Sequence, residues 1–314
     1  MYLRGAEREQ WWRSARGELG EADQVTLEAL DKEVRAPAAA RALFAAHGVV
    51  VLAENLPQGP GLARWSPLPH VVPMLAARGE NVPHLRVIVD RAGVELTVFG
   101  GGSPRHALGE ATTWPLQKTA QGGWSRRTFE RHAEEAWSHD LAAAATEIDE
   151  QVRRIGAELV IVAGEPRPRS ALVDRLNTKT SDRVLMVEHG SRTDHGGFTR
   201  DVETMLDGWL ERRRSELLGR HRDSDGPAGL GQVARVLREG RVHAVLMPGE
   251  LPAEVWIGRG GTQLADTAEE LLRWGVEEPV QDRADAALAR AAAMTDAELW
   301  FCPELPDVAA VIRY

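Results

Sequence analysis

The sequence predicts an α/β protein of three domains. Short apolar runs alternate with longer segments whose apolar residues recur every three or four positions, which is the pattern of strands and helices in layered α/β folds. The chain has 314 residues, of which 43% are hydrophobic and 27% charged, enough for two or three globular domains. A proline-rich stretch before residue 82 and the turn-forming run Asp223–Pro227 mark the boundaries. The predicted domains are therefore 1–82, 83–225 and 226–314.

The first segment, 1–82, is predicted to be an N-terminal α/β domain. Apolar spacing favours helices at Glu7–Leu19, Asp23–Val34 and Pro37–His47, and Gly48 fits the end of the third. The run Val49–Ala53 is typical of a buried strand. Prolines break up the rest of this segment: Pro57, Pro60, Pro67, Pro69 and Pro73.

The second segment, 83–225, begins with a predicted β-hairpin. Its strands are Leu85–Val89 and Val94–Phe99, and the turn between them is Asp90–Gly93. A glycine run at 100–102 ends the hairpin, and a long helix is predicted from residue 126. Strands and helices then alternate as follows: strand Leu159–Ala163, helix Ser170–Leu176, strand Val184–Glu188 and helix Thr199–Leu218.

The third segment, 226–314, repeats this alternation. The predicted helices are Gly229–Arg238, Thr267–Trp274 and Arg283–Met294. The predicted strands are His243–Met247, Glu254–Ile257, Glu298–Phe301 and Val308–Ile312.

The stretch 117–132, QKTAQGGWSRRTFERH, is the most informative part of the chain for function. Gly122 and Gly123 can adopt backbone conformations closed to other residues, and Ser125 is a good N-cap. The helix is therefore predicted to begin near Arg126 and to run to about Arg154, on the order of 40 Å. Its apolar positions recur at three- and four-residue intervals: Phe129, Ala133, Ala136, Trp137, Leu141, Ala144, Ala145, Ile148, Val152 and Ile155.

Cationic residues surround the glycine pair. Arg126 and Arg127 fall in the first helical turn, where each opposes the helix dipole by roughly 0.3–1 kcal/mol. A basic helix start beside an indole suits a phosphate-rich partner with bases available for stacking. The predicted RNA-binding residues are Lys118, Thr119, Gln121, Gly122, Gly123, Trp124, Ser125, Arg126, Arg127 and Arg131. The alternative is that Trp124 packs in the core and the arginines are merely solvated.

The same stretch resembles the Gly-Gly-Gln loop and following helix of the archaeo-eukaryotic class I peptide chain release factors. The order of elements is more similar to their bacterial relatives, the Balon-like ribosome hibernation factors of the actinobacterial branch, and the likeness is strongest between Val82 and Leu176. It implies a release-factor-like middle domain at 83–225 and a release-factor-like C-terminal domain at 226–314, with a divergent N-terminal domain. One departure matters, because Trp124 stands where the release-factor glutamine would be.

The resemblance implies binding to the bacterial ribosome and leaves two functions open. In the first, the chain occupies the aminoacyl site as a hibernation or stress factor without hydrolysing peptidyl-tRNA. In the second, it is a peptidyl-tRNA hydrolase or tRNA-cleaving rescue enzyme. An indole has a single donor and no carbonyl, so Trp124 cannot replace the glutamine amide. The first function is therefore favoured, with no catalytic residue predicted. The resemblance also implies elongation factor Tu as a partner.

Other motifs are weaker. The stretch Glu188–His195 contains ligand-type side chains but matches no metal-site spacing, and we predict no metal and no cofactor. Gly229 and Gly231 form an incomplete dinucleotide fingerprint better explained as a helix N-cap, and Gly258–Gly261 fits a turn after a strand.

Composition limits the partners. The net charge of −9 argues against indiscriminate nucleic-acid binding, so we predict local RNA contact, at Lys118–Arg131 or Glu211–Arg214, and no DNA partner. A single cysteine, Cys302, excludes an internal disulfide framework. No long apolar span or signal segment is visible, which predicts a cytoplasmic protein with no membrane partner.

Overall fold

The computed structural model describes residues 1–3, 8–35, 40–56, 58–90, 93–100, 110–115, 126–188, 190 and 195–313; for 8, 110–115, 126–136 and 195 it describes the backbone alone. The chain divides into two compact units. Unit 1 combines Met1–Gly79 with Arg213–Tyr314, and unit 2 is Glu80–Arg212. Unit 1 contains most of the first predicted domain together with the third. That these two segments are separate domains stays a prediction.

The N-terminal part of unit 1 is a three-stranded antiparallel sheet with two helices on one face. Its elements are strand β1 (Tyr2–Leu3), helices α1 (Arg8–Glu18) and α2 (Gln24–Val34), and strands β2 (Ala40–Ala46) and β3 (Val49–Leu56). Asp23 caps α2, because its carboxylate accepts a hydrogen bond from the Thr26 backbone N–H at 2.8 Å. The core contains Leu3, Trp12, Leu27, Leu30 and Leu43.

The helix predicted at Pro37–His47 is wrong, because β2 occupies Ala40–Ala46. Four alanines in this run gave it high helix propensity, but pairing with β1 and β3 makes it the central strand of the sheet. His47 and Gly48 both have positive φ, 52° and 80°, and join β2 to β3 as a two-residue hairpin turn. Gly48 therefore closes a hairpin and does not end a helix.

The strand predicted at Val49–Ala53 exists, but it is not buried. Strand β3 lies at the end of the strand order, and Val49 and Val51 are 58% and 71% exposed. Helix α3 (Val72–Arg78) follows in the proline-rich stretch, where the sequence predicted no helix. Pro73 lies in the first turn of α3, where a helix does not need the missing N–H.

The C-terminal part of unit 1 contains two further three-stranded sheets, with strand orders β13-β9-β14 and β11-β10-β12. Its helices are α8 (Leu230–Arg238), α9 (Ala268–Arg273) and α10 (Ala284–Met294). Its strands are β9 (Val242–Met247), β10 (Glu254–Ile257), β11 (Leu264–Ala265), β12 (Val280–Arg283), β13 (Glu298–Phe301) and β14 (Ala309–Ile312). Leu68 and Val72 of the N-terminal part pack in the same core as Val245 and Leu288.

Unit 2 is built on a five-stranded sheet with strand order β6-β5-β4-β7-β8. Its strands are β4 (His84–Asp90), β5 (Gly93–Phe99), β6 (Glu110–Pro115), β7 (Leu159–Gly164) and β8 (Val184–Met186). Its helices are α4 (Arg126–Ile155), α5 (Pro166–Val173), α6 (Thr178–Ser181) and α7 (His195–Asp223), the last of which continues into unit 1. The central strand β4 pairs antiparallel with β5 and parallel with β7.

Most predicted elements of unit 2 and of the C-terminal part are confirmed, and so is the α/β class. Strand β10 has the predicted bounds, Glu254–Ile257. Helix α5 begins four residues before the predicted Ser170, because prolines 166 and 168 stand at its start and do not break it. Strand β6 lacks an apolar run and was missed. Within the part of the chain that is described, we find no helix with the length and apolarity needed to span a bilayer.

Candidate functional site at the start of helix α4

The predicted RNA-binding residues divide into two groups. Lys118, Thr119, Gln121, Gly122, Gly123, Trp124 and Ser125 lie outside the described residues. Arg126, Arg127 and Arg131 lie on the described backbone of α4, but their side chains are not described. The predicted helix start is confirmed, since α4 begins at Arg126 and extends for 30 residues. The roles of these residues in RNA binding stay a prediction.

The C-terminal half of α4 is firmly packed. Leu141, Ala144 and Ile148 are completely buried and share a core with Leu85 and Val87 of β4. A glycine turn ends the helix, because Gly156 has φ 62° and the next N–H, of Ala157, bonds to the carbonyl of Val152 at 3.0 Å. The end of α4 is thereby fixed to the sheet.

Helix α4 is much longer than the sheet on which it packs. Thirty helical residues rise about 45 Å, whereas a seven-residue strand such as β4 spans about 23 Å. Ile155 lies at the end of the sheet where β4 begins, because a Cβ on Gly100, just after β5, would be 3.6 Å from the Ile155 side chain. The excess length of about 20 Å is therefore at the N-terminal end of α4, and the helix start lies beyond the sheet.

The electrostatics of this helix start favour an anion. No acidic residue occupies the first turn of α4, so no side chain there offsets the positive end of the helix dipole. The sequence instead supplies Arg126 and Arg127, and the first acid is Glu130. Unsatisfied N–H groups at a helix start bind phosphate oxygens.

The second predicted basic patch, Glu211–Arg214, is partly occupied by ion pairs. The guanidinium of Arg213 lies 3.1 Å from the carboxylate of Glu216 and 3.2 Å from that of Glu298. Burial lowers the pKa of Arg213, but these two carboxylates outweigh it and raise the pKa overall. Arg213 thus holds α7 to β13, and it is less available to RNA than an unpaired arginine would be.

Sequence reasoning missed a polar cluster in unit 1, in which His70 and Asp285 are buried and Glu250 is exposed. The Nε2 atom of His70 lies 3.5 Å from Asp285 Oδ2 and 3.6 Å from Glu250 Oε2, so the three side chains could in principle hold a metal ion. Asp285 is fully buried at the start of α10. Because residues 70, 250 and 285 are far apart in the chain, no spacing in the sequence could have indicated this cluster.

The hydrogen bonds of Asp285 favour an ion network over a metal site. Its Oδ1 accepts from Arg283 Nε at 3.0 Å and from the Ala286 N–H at 2.7 Å. Its Oδ2 accepts from the Leu251 N–H at 3.0 Å and from Arg283 Nη2. Both oxygens therefore already have two donors, which leaves no lone pair for a cation. Burial raises the pKa of Asp285, but His70 and Arg283 outweigh it and lower that pKa well below its ordinary value.

The weaker motifs have structural explanations where they are described. Gly229 is the residue before α8, with φ 81°, as the N-cap prediction required. Gly258 and Gly260 form the turn between β10 and β11, where both of their N–H groups bond to Gln263. In the stretch Glu188–His195, Glu188 is exposed, and His189 and residues 191–194 lie outside the described residues.

Comparison with known families identifies the segment that carries α4. Residues 83–227 match the model of the bacterial archaeo-eukaryotic release factor family 2. This segment of the chain is release-factor-like. The match confirms the resemblance predicted from the glycine pair and the following helix. Assignment to the Balon-like branch stays a prediction.

Two curated relatives align with almost the whole chain. Rv2629, an uncharacterized protein of Mycobacterium tuberculosis strain H37Rv, is 28% identical over 338 aligned positions, which cover 98% of this chain and 88% of the relative. The uncharacterized protein MT2704 of strain CDC 1551 gives the same values.

Solved structures of translation factors are more distant. Archaeal Pelota, in a model of ribosome-bound Pelota and ABCE1, is 18% identical, with 86% of this chain and 71% of that chain covered and a TM-score of 0.40. Dom34 of S. cerevisiae is 9% identical, with 74% and 63% covered and a TM-score of 0.38. The archaeal termination factor aRF1 is 15% identical, with 75% and 63% covered and a TM-score of 0.25. The chain spans less than two thirds of the length of the last two proteins.

Proposed function

We propose that this protein is a bacterial ribosome-binding factor that occupies the aminoacyl site as a hibernation or stress factor and does not hydrolyse peptidyl-tRNA. The observation that carries the proposal is helix α4, which starts at Arg126, just after the sequence Gly122-Gly123-Trp124-Ser125, and is about 20 Å longer than the strands on which it packs. A rigid helix of this length can present the preceding loop at a distance from the rest of the unit. Its basic start supports contact with ribosomal RNA.

The family match supports a role in translation. The segment that matches a release factor family is the one that contains α4 and the glycine pair. Archaeal Pelota is a protein found bound to the ribosome with ABCE1, and Dom34 is a translation termination-like factor involved in RNA quality control. A cytoplasmic location and elongation factor Tu as a second partner belong to the same proposal.

The rival function is ribosome rescue by hydrolysis, which the retained glycine pair favours. The proposal against hydrolysis rests on Trp124, which follows Gly123 where the release-factor glutamine would be. The glutamine of a release factor helps position water for attack on the ester, and an indole offers one N–H donor and no amide carbonyl. A protein that only occupies the aminoacyl site needs no glutamine amide at this position.

Co-sedimentation with vacant bacterial ribosomes tests binding. We expect saturable binding that weakens as salt rises, because each phosphate contact releases counterions. Imaging of the particle should find the segment 117–132, which includes the first turns of α4, in the aminoacyl site of the large subunit. Protein that stays in the supernatant at low salt, both with and without elongation factor Tu, would refute ribosome binding.

Single-turnover hydrolysis of peptidyl-tRNA on the ribosome separates the two functions. We expect no release above the uncatalysed rate, with a true release factor as the positive control. Release that is abolished by Gly122→Ala or Gly123→Ala would establish the rescue enzyme instead.

A further inference from the structure

A second surface of the molecule, at the end of helix α9, exposes apolar side chains. Leu272 is 51% exposed and Trp274, which follows the last residue of α9, is 40% exposed. The preceding residue, Leu271, is completely buried and forms a small core with Val276 and Ala265. Leu271 thus fixes the end of α9 to the small sheet β11-β10-β12, while Leu272 and Trp274 on either side of Arg273 are exposed to solvent.

Trp274 is held in place by its contacts. The guanidinium of Arg238 lies 3.5 Å from the centroid of the Trp274 ring, and the same group lies 3.6 Å from the carboxylate of Glu270. A cation stacked on one ring face restrains the indole and leaves its other face to a partner. Rigid, partly exposed tryptophans are typical anchors of protein interfaces.

The charges around Trp274 are mainly negative. Segment 266–281 contains five acidic residues and one basic residue, Arg273. Arg238 and Arg259 pair with Glu270 and Glu278, which still leaves the local surface negative. Among the described residues, the exposed side chain of Glu277 has no ion pair. Negative charge beside an exposed indole disfavours RNA phosphates and favours a basic protein.

We infer that the face formed by Leu272, Trp274 and Glu277, here called the α9 face, docks a basic protein segment that carries an apolar side chain. The inference rests on the proposed function: on the ribosome this partner is a ribosomal protein, because ribosomal proteins are generally basic, and it is not ribosomal RNA. Trp274 and Leu272 supply the apolar contact, and the carboxylate of Glu277 pairs with a cationic residue of the partner.

Variants of the α9 face give the first test, by ribosome co-sedimentation. Trp274→Ala should weaken binding roughly thirtyfold if the indole is a central anchor. Leu272→Ser should also weaken binding and leaves the Arg238–Trp274 contact in place. The matched control is Val51→Ser on β3, a residue that is 71% exposed and far from α9 in sequence, which should bind as the wild type does.

A charge reversal distinguishes protein from RNA. Glu277→Lys and the control Glu21→Lys each add the same charge at an exposed position, so both increase general attraction to RNA equally. If the α9 face meets a basic protein, Glu277→Lys should bind about twofold to fivefold more weakly than Glu21→Lys. If the face meets RNA, Glu277→Lys should bind more tightly than the control, which would overturn the inference.

A photo-crosslinker in place of Leu272 identifies the partner directly. On ribosomes it should react with a ribosomal protein. Crosslinking to ribosomal RNA, or to nothing while the protein sediments normally, would overturn the inference and leave the proposed function intact. If the wild-type chain itself fails to sediment with ribosomes, both this inference and the proposed function are wrong.

Discussion

At the scale of single residues, Asp285 connects the two parts of unit 1. It accepts four hydrogen bonds, two of them from Arg283, and its Oδ2 lies 3.5 Å from His70 in the N-terminal part. The neighbouring Asp282 accepts the Leu68 N–H at 2.7 Å. Two buried carboxylates, Asp282 in β12 and Asp285 in α10, therefore contact the chain on either side of residue 69.

Removing the charge of Asp285 should be costly. We expect Asp285→Asn to lower the free energy of unfolding by about 3–5 kcal/mol, because it leaves Arg283, whose side chain is 12% exposed, with only the half-exposed carboxylate of Glu250. The control is Glu278→Gln, which breaks the exposed pair with Arg259 and should cost less than about 1 kcal/mol. Urea unfolding measures both. Equal losses in the two variants would contradict the importance of this network.

The pH dependence of stability follows from the direction in which folding shifts the pKa of Asp285. The pKa of folded Asp285 lies below its ordinary value of 3.8, so the folded state releases this proton more readily than the unfolded state. The stabilisation is complete above that ordinary value and is lost as the pH falls below it towards the depressed folded pKa. The difference between the wild type and Asp285→Asn should therefore be constant near neutral pH and shrink below about pH 4.

At the scale of elements, the sequence was sufficient wherever local signals agreed with packing. Helix α4 combines a serine N-cap candidate with a long apolar stripe, and its predicted start and end agree with the structure to within one residue. Strand β2 was missed because its alanines favour a helix locally, and only β1 and β3 make it a strand. Helix α3 and the His70 cluster depend on contacts between distant residues, which periodicity cannot reveal.

The start of α4 offers the prediction that belongs to this scale. Arg126→Glu with Arg127→Glu should leave the melting temperature unchanged or slightly higher, because acids at a helix start favour the dipole. Ribosome binding should weaken. Arg153→Glu with Arg154→Glu, at the other end of the same helix, makes an identical change in charge at exposed positions and serves as the control.

Trp124 separates the two interpretations of this loop. If its indole stacks on a base, Trp124→Ala should cost roughly 1–3 kcal/mol of binding with little change in melting temperature. If it is a core residue, the variant should lose about 3–5 kcal/mol of stability. Large thermal losses with intact ribosome binding would assign the loop to structure.

At the scale of the whole molecule, the two units differ in how far along the chain their cores extend. The described core of unit 2 comprises the cluster between Leu85 and Val184 together with buried residues of α7 such as Phe198, Val202 and Leu206, all of them within residues 80–212. The core of the C-terminal part instead includes Leu68, which is 9% exposed, and Val72, which is completely buried. A fragment that begins at residue 226 lacks both side chains, the Leu68 N–H that bonds to Asp282, and His70 beside Asp285.

We therefore expect fragments of the chain to differ in stability. Fragment 80–212 should unfold cooperatively alone, because it keeps its core. Fragment 226–314 should be less stable than the same region in the full chain, because each missing apolar side chain removes about 1.5–3 kcal/mol of burial, Asp282 loses the Leu68 N–H and Asp285 loses His70. Fragment 213–314 should regain stability when residues 1–79 are added in trans. Thermal and urea unfolding of these fragments measure the differences. A fragment 226–314 as stable as the intact chain would establish it as an independent third domain, because the contacts of Leu68, His70 and Val72 would then contribute nothing to its folding.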